Sequence, residues 1–149
     1  MTMYRQRRLF ILLAALTVGA SASERAAGSD FVVIANLRSG ITKMSKDEVI
    51  NVYMGRNRKL ASGITAMPLD LENPLAVKAH FYSVLVNKDL SEISSYWARL
   101  VFSGQGSPPR QVKSQEEAIE IVTRRRGAIA YIERTKIDKR VKVVFDPLR

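Results

Sequence analysis

The sequence predicts a single α/β domain in which a mostly parallel or mixed sheet is flanked by helices. Three observations carry this expectation. Two apolar runs, Phe31-Val32-Val33-Ile34-Ala35 and Ala128-Ile129-Ala130-Tyr131-Ile132, lack the polar alternation of half-exposed strands and suit strands covered on both faces. Between them lie helix-start signals followed by apolar stripes at i, i+3 and i+4. Glycine and proline fall between the periodic segments and rarely inside them. Strands that alternate with helices pack as one layered α/β unit.

Length and composition agree. The chain has 149 residues, 46% of them hydrophobic and 26% charged, with eight Gly and five Pro. These are globular values, and a chain of this size buries a core without a disulfide or metal. No Cys is present, which removes thiolate nucleophiles, Cys-ligated zinc and disulfides. The net charge of +10, from 24 basic and 14 acidic residues, concentrates anions near the surface.

The elements are expected in the following order. Arg5, Arg7 and Arg8 precede an apolar run over residues 9–18, and Ala20-Ser21-Ala22 supplies small residues. Residues 1–22 thus read as an export leader cleaved after Ala22, with an apolar stretch too short to span a bilayer. Arg7-Arg8-Leu9-Phe10-Ile11 also fits the twin-arginine pattern, while the hydrophobic run favours the general route; either one ends in a bacterial periplasm. Residues 23–30 are a polar tether, and residues 31–149 form the domain, beginning with the first apolar strand. Ser45-Lys46-Asp47-Glu48 is a capping box that opens a helix, with Met44 placed to staple onto Val49 and with Val49, Val52 and Tyr53 as its buried stripe. Gly55 ends it.

A basic loop over residues 56–63 leads to a strand over 64–71, which Pro68 pushes toward an edge or a bulge. Asn73-Pro74 then caps a helix bearing Val77, Phe81, Val84 and Leu85. Asp89 and Glu92 cap the next, whose stripe is Ile93, Trp97, Leu100 and Val101 and which stops at Gly104. Gly104-Gln105-Gly106-Ser107-Pro108-Pro109 forbids regular structure and forms a loop. Ser114-Gln115-Glu116-Glu117 is a second capping box, before a stripe of Ala118, Ile121 and Val122. Arg124-Arg125-Arg126 suits that helix's C-terminal dipole, and Gly127 closes it. The Ala128 run and Val141-Lys142-Val143-Val144-Phe145 are the closing strands.

Four of these segments resemble a known family. Val52-Tyr53-Met54-Gly55-Arg56 resembles the "I-F-x-G-K" helix end of type 2 periplasmic solute-binding proteins, above all the phosphate-binding component of phosphate transporters. Met67-Pro68-Leu69-Asp70 sits where that family has a strand and ligand loop. Tyr96-Trp97 through Gly104 is similar to a "Y-W-x-x-x-F-x-G" stretch of small phosphate-binding-like proteins. Gly127-Ala128-Ile129-Ala130-Tyr131 resembles the family's "G-A-I-G-Y" turn. The resemblance implies a single lobe of the two-lobed fold and a non-catalytic periplasmic solute-binding-like protein related to phosphate transport. It implies recognition or sensing of a small anion or polar solute, without a cofactor, and together with an inner-membrane transporter or sensor or through self-association. One departure is chemical. The family's phosphate loop reads Arg followed by Ser-Gly-Thr, whereas this chain has Asp70-Leu71-Glu72-Asn73-Pro74-Leu75-Ala76-Val77, with carboxylates in place of the cation and no hydroxyl. None of its phosphate residues carries over at these positions.

The residues themselves offer two candidate sets. Asn36, Arg38 and Ser39 leave the first strand at its carboxyl end, where open α/β sheets place ligands, and Asp70 with Asn73 leaves another strand on what is expected to be the same edge. The same residues also suit local roles: turn formation for Asn36 and Ser39, capping for Asn73, and dipole complementation for Asp70. Lys43, Arg56, Arg58, Lys59 and Arg110 form a basic face that could dock an anionic partner or remain a solvated rim. Aromatics do not interleave with these cations as in single-strand nucleic-acid binders, so no nucleic-acid partner is expected. The single histidine, His80, lies on a helix without a ligand partner at metal spacing. Asp47/Glu48 and Glu116/Glu117 occupy first helical turns, where acids cap N–H groups; with no nucleophile elbow, P-loop or zinc signature, no enzyme is expected and a ligand-free adaptor is the alternative function.

Overall fold

The computed structural model describes residues 30–149. The expected leader, its expected cleavage after Ala22 and the expected tether up to residue 29 lie outside the described residues. Five strands and four helices follow one another as β1 (Phe31–Asn36), α1 (Lys46–Tyr53), β2 (Met67–Leu71), α2 (Leu75–Val86), α3 (Leu90–Phe102), β3 (Arg110–Val112), α4 (Gln115–Arg124), β4 (Ala128–Glu133) and β5 (Val141–Phe145). One 3-10 turn, Arg134–Lys136, links the last two strands. Among the described residues no helix is long and apolar enough to cross a membrane.

The strands form one mixed sheet in the order β3-β2-β4-β1-β5. β2 runs parallel to both β3 and β4, whereas β1 is antiparallel to both β4 and β5. The sheet is thus mixed, as expected: β2, β3, β4 and β5 run in one direction and β1 alone runs against them. An uninterrupted apolar run reports that both faces of a strand are covered and carries no information about its direction. Helices α1, α2 and α3 cover one face, where Phe81 of α2 stacks on Tyr131 of β4 at 3.9 Å and 14° and meets Tyr53 of α1 edge-on at 4.7 Å. Helix α4 covers the other. His80 packs edge-on against Phe31, and all six β1 side chains are buried.

Local chemistry sets most element ends. At Ser45 both halves of the capping box form: the side chain accepts from Glu48 N–H, and the Glu48 carboxylate accepts from Ser45 N–H. Asp89 and Glu92 do the same for α3. The Ser114 box is half formed, because Glu117 N–H donates to Ser114 Oγ while the Glu117 carboxylate accepts from Lys113 N–H at 2.7 Å, one residue earlier. Helix α2 departs from expectation at its start. Pro74, extended at φ −77° and ψ 139°, is the N-cap, and Asn73 makes no capping bond. The strand expected from residue 64 starts at Met67 and is second from the edge, despite Pro68. Met67 N–H donates to Gly127 C=O, so the next nitrogen, Pro68's, faces the β3 side, where pairing begins only at Leu69. β3, three residues inside a Gly- and Pro-rich polar stretch, has no apolar pattern of its own.

Beyond β4, Arg134 grips Asp146 with two parallel bonds, Nη1 to Oδ2 at 2.9 Å and Nη2 to Oδ1 at 2.6 Å. This fork holds the Asp146 carboxyl down at about 2 from its ordinary 3.8. A depressed carboxylate contributes stability above its ordinary pKa and loses it as pH falls toward the depressed value. Arg134 is one-third exposed, so water screens the pair and about 1 kcal/mol is expected. Asp146→Asn should lower Tm at pH 6 by roughly 3–5 °C, and the gap to wild type should close as melts are repeated from pH 4 to pH 2. A gap that persists at pH 2 refutes this origin.

Candidate functional site

Strand direction decides which candidate residues meet. β1 opposes β2 in direction, so Asn36, Arg38 and Ser39 leave the sheet at one end while Asp70 and Asn73 leave it at the other. The expected common edge does not exist. At the first end Asn36 is buried and fully engaged. Its Nδ2 donates to Val122 C=O at 2.7 Å and Thr123 C=O at 2.9 Å, and its Oδ1 accepts from Arg38 N–H at 2.8 Å. Asn36 thus satisfies carbonyls that the end of α4 leaves open. Arg126 Nε donates to Arg38 C=O beside it. Ser39 is buried with its Oγ unpartnered among the described residues, while its carbonyl accepts from Ser62 Oγ at 2.7 Å.

At the other end the sheet carries a buried polar cluster. Asp70 shares the face under α1, α2 and α3 with Tyr131 of β4 and with Gln111 of β3, its register partner. Asp70 Oδ1 accepts from Tyr131 Oη–H at 2.5 Å, and Oδ2 accepts from Gln111 Nε2 at 3.0 Å and Lys78 Nζ at 2.9 Å. Tyr131 Oη in turn accepts from Leu71 N–H at 3.0 Å, and Tyr53 Oη–H donates to Leu69 C=O. Burial, followed by the Asp70 charge, pushes the Tyr53, Tyr82 and Tyr131 hydroxyls well above their ordinary range, so all three remain protonated. Tyr82 Oη and Trp97 Nε1 have no hydrogen-bond partner among the described residues. Asp70, Lys78, Gln111, Ser94, Leu75 and Trp97 line a cleft of about 410 Å³ there. Asn73 is exposed on the loop outside it.

Sequence reasoning found Asp70 and missed Lys78, Gln111, Tyr82 and Tyr131. One signal was present: a carboxylate between Leu69 and Leu71 in a strand has to find a cation or donors once buried. Which residues supply them depends on strand order, a property no local pattern encodes.

The basic set divides. Arg58 and Arg110, both exposed residues, line a second cleft of about 250 Å³, with Asn57, Thr65, Trp97 and Pro108 among its walls. Lys43, Arg56 and Lys59 are exposed outside it. Trp97 and Pro108 therefore separate two clefts, one at each end of the short parallel strands. Among the described residues, no three acids or histidines converge as a metal ion would require.

No protein-family model matches the chain, and no curated protein matches it in sequence. Solved structures do resemble it in fold. An ABC-type phosphate transport receptor from Vibrio cholerae superposes with a TM-score of 0.61 at 14% identity, over 77% of this chain and 45% of that one. A putative phosphate ABC transporter substrate-binding protein from Clostridium perfringens, solved with bound phosphate, gives 0.61 at 12%, over 77% and 44%. PstS from Borrelia burgdorferi gives 0.59 at 15%, over 78% and 46%. The chain spans less than half the length of each. The described residues thus adopt a phosphate-binding-protein-like fold, a mixed α/β unit similar to one lobe of those receptors.

Proposed function

We propose that this chain is a non-catalytic, exported solute-recognition module that binds a small anion or polar solute in the periplasm, with a transporter, a sensor or a second copy closing the exposed edge of its lobe. The observation that carries this reading is the fold shared with phosphate receptors, over a length that supplies less than half of theirs. The open cleft at the carboxyl ends of β2 and β3 supports it, because open α/β sheets bind ligands at that edge. Lys78 and Gln111 provide a cation and an amide donor, and Asp70 shapes the preference toward solutes that also carry a donor. Titration calorimetry with phosphate, sulfate and small zwitterionic amino acids should give saturable heat for at least one of them, with a Kd of about 1 mM or tighter. Silence across that panel for the protein alone and at concentrations where it self-associates would remove solute recognition.

One observation favours a second reading. The Asp70 charge is already matched inside the chain by Lys78, Gln111 and Tyr131, which leaves no charge deficit for a ligand to fill. Under that reading the module is a ligand-free adaptor docking through Lys43, Arg56, Arg58, Lys59 and Arg110. Phe102, 95% exposed at the end of α3, would be an apolar anchor for such a partner.

A further inference from the structure

The geometry points to the Arg58–Arg110 cleft as a second binding site, for a small organic oxyanion, a carboxylate or phosphate ester, that carries a flat apolar body. This site lies at the amino ends of β2 and β3, opposite the edge treated above, so it goes beyond the proposed function. Arg58 comes from the loop after α1 and Arg110 from the start of β3, and no Asp or Glu stands in the cleft lining. Neither guanidinium has an ion-pair partner among the described residues. Two arginines that line one cleft without a carboxylate gain from an oxyanion that accepts from both planar forks.

The remaining walls fix the rest of the ligand. Trp97 lies against the backbone of Gly55, where a Cβ would come within 2.8 Å of the indole Cη2, so the glycine is what lets the ring reach the cleft. A Cβ at Gly106 would lie 3.8 Å from the Trp97 ring and 4.0 Å from Arg58 Nη2, so the loop, the ring and the cation are neighbours. Met67, Pro68, Pro108 and Val52 complete an apolar lining, while Thr65 offers a hydroxyl. A cavity on the order of 150 Å³ accepts a benzene ring, and about 250 Å³ leaves room for an attached oxyanion.

The chain has one tryptophan, and because its ring borders both clefts, the arginine variants decide which cleft its fluorescence reports on. Phenyl phosphate and benzoate should change Trp97 emission saturably, inorganic phosphate should bind at least tenfold more weakly, and benzyl alcohol should give no saturable change. Arg58→Gln and Arg110→Gln should each raise the phenyl phosphate Kd about tenfold, and the double variant should abolish the response. Lys139→Gln, which removes an exposed charge elsewhere, should leave it unchanged, and circular dichroism should verify that every variant is folded. Benzyl alcohol binding as well as phenyl phosphate, or a folded double variant that binds normally, overturns the site. Inorganic phosphate binding as tightly as its phenyl ester overturns the apolar half of the assignment. The two proposals fail separately: silence in calorimetry with a phenyl phosphate response that is lost in the Arg58 and Arg110 variants removes only the Asp70 edge, and saturable calorimetric heat that those variants keep, without an arginine-dependent response, removes only this cleft.

Discussion

Gly127→Ala is expected to cost this fold about 2–4 kcal/mol, a large share of the 5–15 kcal/mol that holds a domain of this size together. A Cβ at position 127 would sit 2.1 Å from the Thr65 carbonyl oxygen and 3.2 Å from Ile64 Cγ2. The first contact is with backbone, which cannot rotate away as a side-chain end would. Nor can the segment shift freely, because Gly127 C=O accepts from Met67 N–H at 2.8 Å and Thr65 pairs with Lys59 across a β-bridge. Relieving the clash therefore means opening the start of the β2–β4 ladder. The entropy that alanine removes from the unfolded chain offsets only about 0.4–1 kcal/mol. Urea unfolding should show a lower midpoint with an unchanged slope, and Tm should fall by roughly 10 °C or more. Gly63→Ala provides the contrast. No atom lies within 4 Å of a Cβ there, and only its φ of +83° penalises alanine, by about 1–2 kcal/mol. Equal losses at the two positions would show that the Thr65 contact is not what position 127 avoids.

What was legible in the sequence was local. Ser45 with Glu48 and Asp89 with Glu92 each complete a cap within four residues, so the starts of α1 and α3 could be read directly. The apolar runs of β1 and β4 likewise announced full burial. Strand direction and neighbour order were not legible, because they depend on how the chain crosses the sheet. That loss dispersed the first candidate set: once β1 is antiparallel, Asn36 faces the end of α4 and serves as its cap, far from Asp70. β3 escaped notice since three residues beside two prolines carry no periodicity, and with it went Gln111, which reaches Asp70 only as a register partner. Conversely, Arg58 and Arg110 were visible as charges, yet their place in one cleft with Trp97 of α3 depends on the fold.

Asp70→Ala should be the most damaging single change at the β2 edge. One buried carboxylate there serves three donors, so its loss leaves the Tyr131 hydroxyl and the Gln111 amide without their acceptor and the Lys78 ammonium without its counter-charge. Breaking a buried ion pair from one side costs about 3–5 kcal/mol. Lys78, with 16% of its side chain exposed, can swing partly into water, which places the expected loss near 3 kcal/mol. Asp70→Asn keeps the shape but exchanges one acceptor for a donor facing other donors, and about 2 kcal/mol should go. The decisive comparison pairs Asp70→Leu with Lys78→Met. If the carboxylate and ammonium exist to satisfy each other, the double variant should recover much of what Asp70→Leu loses, giving a coupling of about 1–3 kcal/mol in a denaturation cycle. Additive losses would mean that Asp70 is held by the tyrosine and glutamine alone. Lys78 would then be unmatched at the open edge, the electrostatic condition for binding an anion that the satisfied cluster otherwise argues against.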